Sequence, residues 1–142
     1  MDNTILIRLA TPDDAQSLVK LNYEFNGVLM DMHTVKETLG SSNELVALGV
    51  NGDIPVGFAC GRYSTSFCYQ ELDGEITEMY VSEQARRRGC ATALLSFLEA
   101  ELRARGVREV KLITGVDNEA AIATYTKSEY KRQDDVVMSK KL

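Results

Sequence analysis

The sequence predicts one α/β domain, helices and strands mixed around a mixed sheet, on three observations. Its elements read in the order β-α-α-β-β-β-α-β-α-β. A run of strands followed by an alternating section gives a sheet with both parallel and antiparallel pairs. At 142 residues, 44% hydrophobic and 26% charged, the chain has the profile of a soluble globular domain spanning 1–142. Only Pro12 and Pro55 interrupt it, with no repeat or low-complexity stretch, so no linker is expected.

Each element has a local reason. "TILIRLA", Thr4–Ala10, alternates Ile5, Ile7 and Leu9 as a half-buried strand does. Thr11-Pro12-Asp13-Asp14 starts a helix: a capping hydroxyl, a proline suited to the first turn, and acids at the positive end of the dipole. That helix carries Ala15, Leu18, Val19 and Phe25 inward, and a shorter one over about residues 34–39 stops at Gly40. "ELVALGV", "NGD" and "IPVGFACGRY" form a hairpin, with Asn51-Gly52 supplying positive φ at the turn. "GEITEMYV", Gly74–Val81, is the next strand. "ATALLSFLEAELRARG" sets Ala91, Leu94, Leu95, Leu98 and Leu102 on one helical face and ends at Gly106. "REVKLIT" is a strand, "NEAAIATYTKS" a helix and "DVVMSKKL" a closing strand. Residues 74–114 should form a strand–helix–strand crossover.

Composition excludes several classes. No apolar run approaches the roughly 18 residues of a membrane helix, and "MDNTILIRLA" lacks the basic start of a signal peptide. No membrane partner is expected. Cys60, Cys68 and Cys90 are odd in number and lack a C-x-x-C spacing, which fits reduced thiols of a cytoplasmic protein with no metal site. A sequence pI near 4.9 argues against a nucleic-acid partner. The net charge of −5 is unevenly spread: residues 1–78 carry 12 acids against 4 bases, and residues 79–142 carry 9 against 12. A basic half that meets an anion and an acidic half that meets a cation would account for this split.

The loop before the third helix is the strongest chemical signal. Residues 84–92 lie between a strand and a helix start, where backbone N–H groups lack partners. Gly89, Cys90 and Ala91 are small enough for a ligand to reach that backbone, and Arg86, Arg87 and Arg88 add charge and paired donors. Together they make an anion site, most naturally for phosphate. Neither G-x-G-x-x-G nor G-x-x-x-x-G-K-[ST] is present, so this is neither a dinucleotide fingerprint nor a P-loop.

These residues carry a family resemblance. Arg86-Arg87-Arg88-Gly89-Cys90-Ala91, following Val81, resembles the [QR]-x-x-G-x-[GA] acyl-CoA motif of the GNAT N-acetyltransferases. Asn118 through Ala121, Tyr125, Lys127 and Tyr130 resemble that family's N-x-x-A-x-x-x-Y-x-K-x-G-F segment. "IRLATPDDAQSLVKL" resembles its first strand and helix, so the similarity runs along nearly the whole chain. "RRRGCATALL" with "AIATYTK" is also similar to the aminoglycoside acetyltransferases. The departures are Glu83, where the family often has proline, and Arg87 and Glu129, where it has glycine.

The resemblance implies a GNAT fold: a mostly antiparallel, mixed sheet of six to seven strands flanked by four helices. It implies direct transfer of acetyl from acetyl-CoA to a primary amine, either of a peptide or of a small molecule (aminoglycoside, polyamine or amino-acid-like). No metal takes part. The pyrophosphate would lie on backbone N–H groups of Arg87, Arg88, Gly89, Cys90, Ala91 and Thr92, with Arg86 nearby. The pantetheine arm would pair like a strand with Met79, Tyr80 and Val81, where the fourth and fifth strands splay, and an N–H near Met79 would hold the thioester carbonyl.

Glu75 and Glu78 are the candidate bases, beside a water chain. Glu75 resembles the catalytic glutamate of the histone-acetylating branch. Strand alternation puts the two on opposite faces unless a bulge intervenes. Tyr125 would protonate or hydrogen-bond the departing thiolate. Asn118 caps the last helix and could also touch the cofactor. Cys90 sits where a helix dipole lowers a thiol's pKa, but no histidine is near, and a small residue in a tight loop is its expected role. The acids of the N-terminal half, Glu24, Asp31, Glu71 and Asp73 among them, point to a cationic acceptor. Homodimers are common in the family. The alternative from another class is a non-catalytic acyl-CoA-binding regulatory module with the same fold.

Overall fold

The computed structural model describes residues 4–41 and 43–142. Five strands, β1 (Ile5–Leu9), β2 (Glu44–Asn51), β3 (Ile54–Ser66), β4 (Tyr69–Val81) and β5 (Val110–Leu112), form one sheet in sequence order. The first four pair antiparallel, and β5 joins β4 in parallel. Four α-helices flank the sheet: α1 (Ala15–Asn26), α2 (Met32–Ser41), α3 (Cys90–Ala104) and α4 (Glu119–Lys127). The predicted mixed sheet and crossover are present.

Strand number departs from expectation: five among the described residues, not six to seven. The "DVVMSKKL" segment is not a strand. Val136, Val137 and Met138 stand exposed there. Their strand propensity has no partner, because β5 offers a ladder only three residues long, and a strand exists only where a neighbour receives its hydrogen bonds. At the hairpin, the positive φ belongs to Gly52 alone, since Asn51 pairs with Ile54 as the last ladder residue.

Two cores hold the layers. Leu94, Leu95, Leu98 and Leu102 of α3 are fully buried against Ala47, Ala59 and Ile76 of the sheet. Burying each leucine stabilises the fold by about 2 kcal/mol. On the opposite face Leu18 and Leu21 of α1 pack on Val46, Leu48, Phe58 and Cys60. Leu21, not expected there, joins Ala15 and Leu18 among the buried residues of α1, while Val19 and Phe25 turn toward the sheet side but are not fully buried.

Backbone chemistry fixes the helix ends. Asp14 starts α1 by accepting from the Thr11 N–H at 2.8 Å and from both Arg8 terminal nitrogens at 2.7 and 2.8 Å. Thr11 and Asp14 together form a capping box, so the expected cap is present and the carboxylate reinforces it. After α3, Gly106 at φ +95° donates to Arg103 O and Val107 donates to Leu102 O, a Schellman turn. Glu129, at φ +73°, makes the same turn after α4, with Glu129 donating to Thr126 O and Tyr130 to Tyr125 O.

Candidate active site

β4 pairs with β5 only from Gly74 to Ile76. Beyond that point the two chains part, and a cleft of about 840 Å³ opens between β4 and α4. Met79, Tyr80 and Val81 line one side, Ala120, Ala121, Thr124 and Lys127 the other. Its end is the start of α3. Gly89 is the N-cap, at φ +77°, and supplies no side chain to the helix. The first bond inside α3 runs from Ala93 N to Gly89 O at 3.0 Å. The N–H groups of Cys90, Ala91 and Thr92 therefore have no acceptor within the helix.

A Cβ built on Gly89 meets nothing within 4 Å, so the approach to those donors is open. Arg86 and Arg87 line the same end. Arg86 Nε also donates to Val81 O at 3.0 Å, which ties the arginine loop to the end of β4. This is a cradle for an anionic group, with both backbone and side-chain donors, and its chemistry fits the diphosphate of a coenzyme A thioester.

Cys90 is buried, with its sulfur close to the bare Cα of Gly49. Burial pushes its thiol up, and Arg88 opposes this only in part. Burial therefore works against the lowering that a helix start gives a thiol.

The two candidate glutamates share a face. Cys60 pairs with Glu78 and Gly61 with Ile76, so Thr77 is an extra residue in β4. This bulge resets the alternation and brings Glu75 and Glu78 to the α1/α2 side together. Arg62, opposite Glu75, reaches its carboxylate at 3.2 and 3.3 Å. Glu78 instead lines a second pocket, of about 260 Å³, roofed by α1 and α2.

An aromatic trio stands where the two spaces meet. Phe25, Phe58 and Tyr80 have ring centroids 5.5 to 6.2 Å apart. Phe58 faces the pocket, and Phe25 and Tyr80 face the cleft. Burial, then the nearby Glu24 carboxylate, push the Tyr80 phenol up.

Tyr125 is half-buried on α4, and burial followed by the Glu78 charge pushes its phenol up. Tyr130 packs on it edge-on at 6.0 Å and donates its hydroxyl to Glu99 at 2.8 Å, anchoring the end of α4 to α3. Asn118 is the cap it was expected to be, its Oδ1 accepting from Ala121 N at 3.2 Å.

Of Glu24, Asp31, Glu71 and Asp73, Glu24 alone lines the cleft. Asp31 accepts from Thr34 at the start of α2, and Asp73 pairs with Lys111 at 3.5 Å. Glu44, not singled out from the sequence, lines the pocket beside Glu78. Its signal was its cross-strand partner Arg62, hidden by a register shift between Gly49 and Val50. Among the described residues no helix is long and apolar enough to cross a membrane, and no group of three metal-ligating side chains occurs.

The sequence model of the Acetyltransferase (GNAT) family matches residues 16–130. The chain belongs to the GNAT family of acetyltransferases. This GNAT protein is 32% identical over 144 residues to an acetyltransferase of Yersinia pestis, covering 96% of this chain and 94% of that one. Its fold is similar to a solved aminoglycoside acetyltransferase from an uncultured soil metagenomic sample, in complex with sisomicin. There the TM-score is 0.86 at 16% identity, over 99% of this chain and 97% of that one. It is similar as well to AAC(6')-Iy in complex with the bisubstrate analog CoA-S-monomethyl-acetylneamine, with TM-score 0.85 at 16% identity over 98% and 99% of the two chains. GNAT acetyltransferases take their acetyl group from acetyl-CoA, and the cleft of this one has the donors such a ligand needs.

Proposed function

We propose that the protein transfers acetyl from acetyl-CoA directly to a primary amine. The observation that carries this reading is the pair of abutting spaces along β4, one basic and floored by unpaired N–H groups, the other edged by carboxylates. When bound, acetyl-CoA supplies the acetyl group as a thioester.

The chain's own groups divide the remaining work. Backbone donors of Cys90, Ala91 and Thr92, with Arg86 and Arg87, hold the diphosphate. The edge of β4 from Met79 to Val81, left without a β5 partner, receives the pantetheine amides. The Met79 N–H donates to the carbonyl oxygen as charge develops on it.

Glu78 takes the proton that the acceptor's ammonium must lose before its nitrogen attacks. A carboxylate is a weak base against an alkylammonium of pKa roughly 10.4, so the small neutral fraction of the amine is the form that attacks. Glu75, engaged by Arg62, holds the strand face instead. The Tyr125 hydroxyl donates to the departing sulfur. Its raised pKa keeps it protonated, and so a donor, throughout the neutral range.

Release of free thiol from acetyl-CoA, scanned over a panel of amines, tests the reading. Glu78→Gln and Tyr125→Phe should each lower kcat by about 10²-fold, the lower range of acid–base catalysis. Unchanged rates in both would defeat this mechanism. If acetyl-CoA stabilises the chain against heat but no amine releases thiol, the chain is a non-catalytic acyl-CoA-binding module.

A further inference from the structure

The pocket beside β4 is apolar in depth and charged only at its rim. Leu18, Val19, Val35, Leu39 and Phe58 form its walls. Its two polar wall residues are already engaged: Asn22 donates to Val28 O at 3.2 Å and accepts from Asn26, and Thr38 donates to Thr34 O at 2.9 Å. Glu44 and Glu78 stand exposed at the mouth. Both project from the same sheet face, since Glu44 pairs with Arg62, Val46 with Cys60, and Cys60 with Glu78.

Partial desolvation at the mouth pushes the Glu44 carboxyl up, the Arg62 charge opposes it, and the Glu78 charge adds to it. Two carboxylates at one mouth complement a cation. The volume of about 260 Å³ falls below the roughly 300–1,000 Å³ of pockets that enclose drug-sized ligands. Along the apolar walls a polyhydroxylated ligand would give up water for few partners, the carboxylates being confined to the mouth, whereas an alkyl or aryl group needs none there.

Resting on the acetyl-transfer reading above, we propose that the acceptor is a small primary amine with an apolar body, its ammonium held between Glu44 and Glu78, and that Glu44 determines specificity. Glu78 is the proton acceptor in that reading. Glu44 serves as the second anionic contact and sets which amines are held.

Steady-state thiol release with n-hexylamine, 2-phenylethylamine, spermidine and kanamycin tests this on the full chain. The two apolar amines should exceed kanamycin and spermidine in kcat/KM by roughly tenfold or more. Glu44→Gln should raise the KM for hexylamine about tenfold, the change falling on KM rather than kcat. Val19→Trp, which fills the pocket without touching the charges, should do the same. Preference for kanamycin or spermidine, or an unmoved KM in both variants, overturns the proposal and leaves acetyl transfer standing. If no amine releases thiol, acetyl transfer falls, and thermal shift by hexylamine decides the pocket separately. A shift lost in Glu44→Gln supports the assignment, and an equal shift in both proteins overturns it.

Discussion

Arg87 at φ +64° and Glu129 at φ +73° are the two non-glycine residues with positive φ among those described. Both stand where the family resemblance expects glycine. A side chain in the left-handed region costs about 1–2 kcal/mol, while glycine's extra freedom in the unfolded chain takes back roughly 0.5–1 kcal/mol. Glu129→Gly should therefore stabilise the protein by about 0.5–1 kcal/mol and raise Tm by about 2 °C in a calorimetric scan. An unchanged or lower Tm would show that the Glu129 side chain makes a compensating contact. Arg87→Gly should gain similarly in stability but weaken acetyl-CoA binding, since Arg87 lines the cleft. Local chemistry was legible at this scale. Asn118 as a cap and Gly106 as a stop each follow from neighbours a few residues away. The inward turn of Cys90 was not, because it depends on the space Gly49 leaves on a distant strand.

Among the elements, the two register shifts separate what a reader of the sequence sees from what the fold does. Plain alternation sets Glu75 and Glu78 on opposite faces; the extra residue Thr77 puts them on one. The shift between Gly49 and Val50 does the same for Glu44 relative to Arg62. Neither bulge has a residue signature, since each arises from pairing two strands whose ends are fixed elsewhere. Glycines mark where those strands run close. A Cβ on Gly57 would lie 2.8 Å from Tyr80 O and 3.3 Å from the Val81 Cα, both backbone. Gly57→Ala should cost about 1–3 kcal/mol in urea unfolding by pushing β3 from β4 at the cleft's edge. A cost near zero would mean that the strands part without penalty.

The joint between β1 and α1 gives a pH prediction at the same scale. Arg8 holds the Asp14 carboxyl below the usual range, aided by the Thr11 N–H and opposed by burial. A carboxyl whose folded pKa is lowered stabilises the fold fully above its unfolded value of roughly 3.9, and that contribution is lost as pH falls through the lowered folded value. Asp14→Asn should cost about 1–2 kcal/mol at pH 7. The gap to the parent protein should close as the solution is acidified below about pH 3.9. A gap independent of pH would mean that the Arg8 pair carries none of it.

Across the whole molecule, the uneven charge of the sequence becomes an arrangement in space. The predicted basic half supplies Arg86, Arg87 and Lys127 to the cleft, and the acidic half supplies Glu44 and Glu78 to the pocket. The sheet sets them side by side because β4 carries the end of one half and the start of the other. The arginines are exposed, so their attraction for an anion is screened by salt, with a Debye length of about 10 Å at 0.1 M and 3 Å at 1 M. The backbone donors at the start of α3 act only at contact distance and feel salt far less. Acetyl-CoA affinity, measured by calorimetric titration from 50 mM to 1 M NaCl, should therefore fall by roughly tenfold and then level off. The paired change Arg86→Ala with Arg87→Ala should flatten that dependence while leaving the high-salt affinity nearly intact. If the double variant instead abolishes binding at every salt concentration, the side chains define the anion site and the cradle of Gly89 to Thr92 does not.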